Sequence, residues 1–303
     1  MRASSGGWNQ ADMQHCTLCG NLAQPFAQLD TRDFFRCGTC HLTFADPATL
    51  PDPETEKAHY DHHNNAPGDA GYRRFLSQLA DPLGERLKPG DCGLDFGCGP
   101  GPALAQMLAE RGFSCRTYDP LYDPDRAPLD KQYDFVTCTE VVEHLHRPER
   151  EWQQFTRLVK PGGWLGIMTH WLVDDNAFAH WYYHRDPTHV CFWQPHTFAW
   201  LAREQGWHVT LVDNPVVLMQ KGAVGRSVEK RPPDISHASN FFRRPVSNLS
   251  LPSHHHRHPH RQQCQRHDND SLAGKASCPV LMRAVIPFHE APFTTNSHPR
   301  HRV

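Results

Sequence analysis

Leu94-Asp95-Phe96-Gly97-Cys98-Gly99-Pro100-Gly101 is the stretch whose reading decides the fold. Cys92 to Phe96 predicts a buried strand, and Pro102 to Arg111 predicts a helix with Leu104, Met107 and Leu108 facing inward. Pro102 suits a first helical turn, and Gly112 suits the left-handed stop. A glycine turn between strand and helix lets a ligand approach bare backbone, where any Cβ would collide with it, and aims helix N-terminal N–H groups at it. Asp119 ends the next predicted strand, Cys115 to Tyr118, where a carboxylate can take ribose hydroxyls at the edge used by nucleotide-binding α/β sheets. A dinucleotide fingerprint needs a third small residue where Pro102 stands, so a nicotinamide oxidoreductase is disfavoured.

Working outward, helical and strand patterns alternate over residues 71–221, which implies an α/β domain with a largely parallel sheet. A helix is expected over Tyr72 to Leu87, strands over Phe135 to Thr139 and Trp164 to Met168, and helices from Pro148 and over His196 to Gln205. Val209 to Val212 with Val216 to Met219 reads as a closing hairpin.

Two further segments carry family information. One is Tyr133-Asp134-Phe135-Val136-Thr137-Cys138-Thr139-Glu140-Val141-Val142-Glu143-His144-Leu145; the other is Leu158-Val159-Lys160-Pro161-Gly162-Gly163-Trp164-Leu165. With Asp95, Gly97, Gly99 and Gly101 in D/E-x-G-x-G-x-G spacing, and with Asp119, residues 71–221 resemble the class I S-adenosylmethionine-dependent methyltransferases, in particular the broad type 11 and type 12 group. The segment Asp186-Pro187-Thr188-His189-Val190-Cys191-Phe192 also resembles a narrower bacterial group that joins a zinc ribbon to this core. The resemblance implies a Rossmann-like sheet with helices on both faces and S-adenosylmethionine as cofactor. It implies that Gly97, Gly99 and Gly101 line the methionine part, Asp95 lies near the ammonium, Asp119 holds the ribose and Thr139 sits beside the sulfonium. The short Pro/Asp-rich run between Asp119 and Asp134 shows no third strand and no adenine-contacting acid.

For a hydroxyl acceptor the chemistry needs alignment and a base, and histidines near neutral pKa are suited to that role. His144, after the fourth strand of the resemblance, and His189, in the Asp186-Pro187-Thr188-His189 turn, are the candidate catalytic residues, each set against a packing or capping role. Glu140 and Glu143 read as capping or solvating their local helix. The aromatic-rich stretch from Trp164 to Trp207 reads mostly as core, and Trp181-Tyr182-Tyr183-His184 as a lid. No Asn/Asp-Pro-Pro-Tyr/Phe element of amino-group methyltransferases follows the fourth strand.

At the N-terminal side, Cys16-x2-Cys19 and Cys37-x2-Cys40 present two thiolate pairs, the ligand set of a structural Zn²⁺. Gly20 and Gly38 are expected to make the tight turns, and Asp33 to Arg36 and Leu42 to Phe44 short strands; His15 and His41 are secondary ligand candidates. So small a segment depends on its metal for folding. Four zones result: a zinc ribbon at 14–45, a linker or flap at 46–70, the methyltransferase domain at 71–221 and a tail at 222–303.

The hydrophobic share of 38% falls below the ~45–50% of ordinary globular chains, and the tail explains the deficit. Its Pro232-Pro233 and His254-His255-His256-Arg257-His258-Pro259-His260 cannot build a core, so it is expected to be a disordered or aberrant extension. A net charge of −2 offers no field for nucleic acid, and a small-molecule acceptor is favoured over a macromolecule. The polar first thirteen residues, the lack of a long apolar run and the irregular cysteine spacing point to a soluble cytoplasmic protein without a disulfide framework. The acceptor and the oligomeric state are not legible. A zinc-ribbon adaptor that binds cofactor without turnover is the alternative from another functional class.

Overall fold

Phe96 and Tyr118 end two parallel strands side by side, and the rest of the large sheet is ordered around them. The computed structural model describes residues 12–61 and 66–223. Strands β5 (Cys92–Phe96), β6 (Ser114–Tyr118), β7 (Tyr133–Thr139), β8 (Val159–Met168), β10 (Trp207–Asp213) and β11 (Val216–Lys221) form a six-stranded sheet in the order β10-β11-β8-β7-β5-β6. β6, β5, β7 and β8 run parallel; β11 joins β8 antiparallel, and β10 pairs antiparallel with β11 in a hairpin at the far edge. Between β6 and β7 the chain forms only a 3-10 turn over Ala127–Asp130, so the third strand missing from the sequence pattern is missing from this sheet too.

Helices cover both faces for reasons visible in their apolar spacing. Helix α2 (Ala70–Gly84) buries Tyr72, Leu76, Leu79, Ala80 and Leu83; Asp69 caps it by accepting the N–H of Tyr72. Helix α3 (Ala103–Glu110) packs beside α2, and the chain leaves it through Arg111 and a left-handed Gly112. The opposite face carries α4 (Pro148–Leu158), opened by its proline and buried through Trp152, Phe155 and Leu158. Helix α5 (Pro195–Gln205) is also opened by proline and ends on left-handed Gly206. Close packing leaves no slack in the sheet: a Cβ on Gly93 would lie 2.0 Å from the Phe135 ring.

The N-terminal region forms a second sheet of β1 (Gln14–His15), β2 (Leu22–Leu29), β3 (Arg32–Cys37) and β4 (Thr43–Ala45). Its fifth strand, β9 (Cys191–Phe192), comes from almost 150 positions later in the chain and pairs Thr43 with Phe192 and Phe44 with Cys191. One apolar cluster therefore runs from Phe34 and Phe44 through Phe178 and Phe192 to Trp193 and Phe155. The segment 46–70, expected as a linker or flap, contains helix α1 (Pro53–Tyr60), capped by Asp52 and docked through Glu56 and Tyr60. Of the tail, only Gly222 and Ala223 belong to the described residues; the histidine run lies outside them.

Candidate functional site

The glycine turn has the backbone that its sequence demands. Gly97 and Gly99 sit at φ of 74° and 66°, in the region where an L side chain is strained, and the turn opens at the C-terminal edge of β5. Asp119, fully buried at the end of β6, braces that turn: one oxygen accepts the Gly99 N–H at 2.9 Å, and the other accepts the N–H groups of Leu121 and Tyr122. Asp95 lies within β5 and accepts the Thr137 hydroxyl at 2.9 Å, which ties it to β7. Thr139 ends β7 with its hydroxyl buried and, among the described residues, without a hydrogen-bond partner. An orphaned hydroxyl and a turn with two left-handed glycines, both at one sheet edge, fit a small polar ligand laid across the strand ends.

Past Thr139 the chain turns sharply. Glu140 adopts a φ of 51° and donates its N–H to Met168, and a 3-10 turn over Val142–His144 places Glu143 and His144 beyond the sheet edge. His189, 45 positions later, arrives beside them, and the His144 and His189 rings lie 4.7 Å apart. All three side chains are fully buried. His144 Nδ1 lies 3.0 Å from the Thr188 carbonyl and His189 Nδ1 2.7 Å from the Tyr183 carbonyl. A carbonyl only accepts, so each Nδ1 carries the proton and each Nε2 keeps its lone pair. The Tyr183 hydroxyl donates to Glu143 Oε1 at 2.6 Å and lies 3.2 Å from Thr169 Oγ1. Burial drives the charges out: it raises the Glu143 carboxyl to about 7, lowers His189 to about 4, and holds His144 well below its ordinary value, with His189 adding to the last effect.

Three elements hold this cluster in place. Tyr60 of α1 reaches it, its hydroxyl 3.3 Å from His144 Nδ1, while His59 meets Asp186 at 3.0 Å and Glu56 meets His146 at 2.7 Å. Asp186 accepts the N–H and hydroxyl of Thr188, which shapes the turn before His189. From the ribbon, Arg32 donates to the carbonyls of His184 and Asp186 at 3.0 Å each and of His189 at 2.6 Å. Val190 donates its N–H to the Glu143 carbonyl and accepts that of Ala45, so it spans the ribbon and the turn that carries Glu143. In the segment expected as a lid, Tyr182 is half exposed, whereas Tyr183 is core and stacks on Trp181 at 4.8 Å.

The four ribbon cysteines converge with their sulfur atoms all within 4.8 Å; Cys16 and Cys40, and Cys19 and Cys37, are 3.5 Å apart. Tetrahedral Zn²⁺ with Zn–S bonds near 2.3 Å separates sulfurs by about 3.8 Å, so the set fits that ion with minor adjustment. None of the four is in a disulfide, and the N–H groups of Thr39 and Cys40 point at Cys37 sulfur. The left-handed turn residues are Gly20 and His41 rather than Gly38, because the second pair closes its turn one residue after Cys40. His15 bonds the Gly20 carbonyl and His41 packs on His196, so neither joins the sulfur cluster.

A family described as a methyltransferase domain matches residues 61–212, half of the chain. The chain belongs to that family. It carries a methyltransferase domain with a parallel-rich sheet, preceded by a four-cysteine cluster. It is similar to a ubiquinone biosynthesis O-methyltransferase of Paracidovorax citrulli, 31% identical over 130 residues that make up 35% of this chain and 50% of that one. A protein of the same name from Klebsiella pneumoniae is 35% identical over 71 residues, 23% of this chain and 29% of that one. The chain spans half or less of the length of these relatives. Among solved structures, an O-methyltransferase family protein from Burkholderia thailandensis aligns with a TM-score of 0.41 at 20% identity, covering 56% of this chain and 64% of that one. Among the described residues no helix is long and apolar enough to cross a membrane.

Both candidate histidines, named from separate segments, thus lie in one cluster, and the six cofactor candidates lie along the sheet edge or turn beside it. Sequence reasoning missed Glu143 as a partner of the histidines and Tyr60, Tyr183 and Arg32 as their supports. For Glu143 a signal existed: a carboxyl adjacent in sequence to the candidate His144.

Proposed function

We propose that the chain transfers the methyl group of S-adenosylmethionine to a hydroxyl oxygen of a small molecule. The carrying observation is the Glu143–His144–His189 cluster, whose proton-accepting atoms are buried at the sheet edge that also carries the glycine turn. When bound, the cofactor supplies a methyl group activated on a sulfonium. Gly97, Gly99, Gly101 and Asp95 are assigned to its methionine part, Asp119 to its ribose and Thr139 to the side of its sulfur. The acceptor oxygen's lone pair forms the new O–CH₃ bond, the S–CH₃ pair stays on sulfur, and the hydroxyl proton is released at the cluster. Burial keeps both imidazoles neutral near pH 7, the form able to receive charge or a proton. Relatives named O-methyltransferases support an oxygen acceptor. In the ribbon, Cys16, Cys19, Cys37 and Cys40 are assigned to a structural Zn²⁺.

Calorimetry of the full chain with S-adenosylmethionine and NAD tests the first step. Binding of the former alone is expected, weakened about 10–100-fold by Gly99→Val, which strains a left-handed turn position, or by Asp119→Ala, which removes the carboxylate that accepts the Gly99 N–H. A labelled-methyl screen against phenols, alcohols, amines and RNA tests the second. No affinity for the sulfonium compound, or label found only on nitrogen, overturns the reading; binding with no label in any pool gives the adaptor alternative.

A further inference from the structure

The geometry points to a second metal site, separate from the ribbon: Glu143, His144 and His189 form a three-ligand site for a divalent first-row transition ion such as Zn²⁺. Their ligand atoms all lie within 4.8 Å of one another, and the three side chains are 0% exposed. Among the described residues, Glu143 Oε2, His144 Nε2 and His189 Nε2 have no hydrogen-bond partner. Three buried acceptors that face one another without a donor cost about 1–3 kcal/mol each, and a shared cation removes that cost.

The orientation of each ligand argues for a cation rather than a chance meeting of side chains. Both imidazoles donate Nδ1–H to a backbone carbonyl, His144 to Thr188 and His189 to Tyr183, the outer contact that fixes a metal-binding tautomer. Glu143 is held by the Tyr183 hydroxyl on Oε1, which leaves Oε2 for the ion. Two imidazoles and one carboxylate are the protein ligands of catalytic zinc sites, which keep a further position open. Arg32 and Asp186 fix the turn that delivers His189, so the site depends on contacts from both sheets.

The inference deepens the proposed transfer reaction and rests on it for its role. With the ion in the cluster, the imidazole nitrogens that bind it no longer take the proton; the ion's charge instead eases its loss to solvent from an acceptor hydroxyl in the open position, and the resulting oxygen attacks the methyl carbon as the C–S bond breaks and its electron pair stays on sulfur. The ion is neither oxidised nor reduced.

The test uses the full chain with its ribbon loaded with zinc and titrates it with Co²⁺. One further equivalent of Co²⁺ is expected to bind, with visible d–d absorption but without the thiolate-to-cobalt band that a displaced ribbon zinc would give. His144→Gln and His189→Gln should each abolish that saturable signal while the ribbon retains its zinc. Absence of a saturable equivalent in the wild-type chain overturns the site, and that arm needs no variant to fold. Persistence of the signal in both folded variants overturns it equally. Calorimetry with S-adenosylmethionine on the same samples separates the two proposals: intact cofactor binding without the cobalt signal removes only the metal site, and the reverse result removes only the transfer reading.

Discussion

Arg32→Met removes the ribbon's grip on the turn that carries His189. The guanidinium makes three bonds to backbone carbonyls, and its burial lowers its pKa, a sign of a desolvated cation held by partners. Hydrogen bonds to a charged group contribute about 1.5–3 kcal/mol each. The freed carbonyls regain water when the turn opens, so the net loss is taken as that of about one such bond, about 2–3 kcal/mol. Methionine keeps an apolar stem of similar length but loses the guanidinium's place over the Phe34 ring, 5.2 Å from its centroid. Because the lost contacts are confined to residues 184–189, the effect is expected as local opening rather than global unfolding. Hydrogen exchange at the amides of His189, bonded to Asp186, and Val190, bonded to Glu143, should accelerate about 30–150-fold. Amides of Gly97 and Cys98, both bonded to the Tyr118 carbonyl, should exchange as before, and S-adenosylmethionine affinity should be unchanged. Equal acceleration at both ends of the sheet edge, or none at His189 and Val190, refutes the idea that the ribbon positions this turn.

Glu151 has an unpartnered buried oxygen, and burial raises its carboxyl to about 7. The folded state therefore binds a proton that the unfolded state releases between pH ~4.5 and 7, so this group's contribution to stability falls as pH rises through that window. Urea unfolding of Glu151→Gln should show the variant gaining on wild type across it, by up to about 3 kcal/mol at pH 8; parallel curves would contradict the assignment. Gly93→Ala drives a methyl group into the Phe135 ring and should destabilise by at least about 1–3 kcal/mol; an unchanged melting temperature would show that the strand has room. A chain ending at Lys221, whose ammonium caps the Thr156 and Val159 carbonyls, should fold and bind S-adenosylmethionine with undiminished affinity; failure would make the tail part of the working protein. Chelation of zinc should melt the ribbon and raise exchange at Cys191 and Phe192 along with it, and protection retained there would show that β9 stands without β4.

The elements legible in the sequence were those whose chemistry is local. A glycine turn between two periodic segments, a pair of C-x2-C turns and a proline-opened helix each carry their cause within a dozen residues, and each was found close to its expected bounds. The missing third strand was legible for the same reason, since Pro120, Pro124 and Pro128 leave little to build it from. Helix α1 escaped notice although Asp52-Pro53 is a start signal, because it buries only Glu56 and Tyr60 and has little apolar periodicity. Strand β9 is two residues long and pairs with a strand almost 150 positions earlier, a match no local pattern records. His144 and His189 were each visible as candidates, but their meeting is a property of the packed chain. It hangs on the Thr188 and Tyr183 carbonyls and on an arginine from the other sheet.

The sharing of Cys191–Phe192 between the two sheets makes the ribbon a poor candidate for transplantation. Excised, it would leave one edge of its sheet bare and the catalytic half without a wall; exchanged for a ribbon from elsewhere, it would meet a foreign partner strand and a turn without its arginine. Chimeras of this protein therefore have to move residues 14–45 and 184–193 as one piece, although more than a hundred positions separate them along the chain.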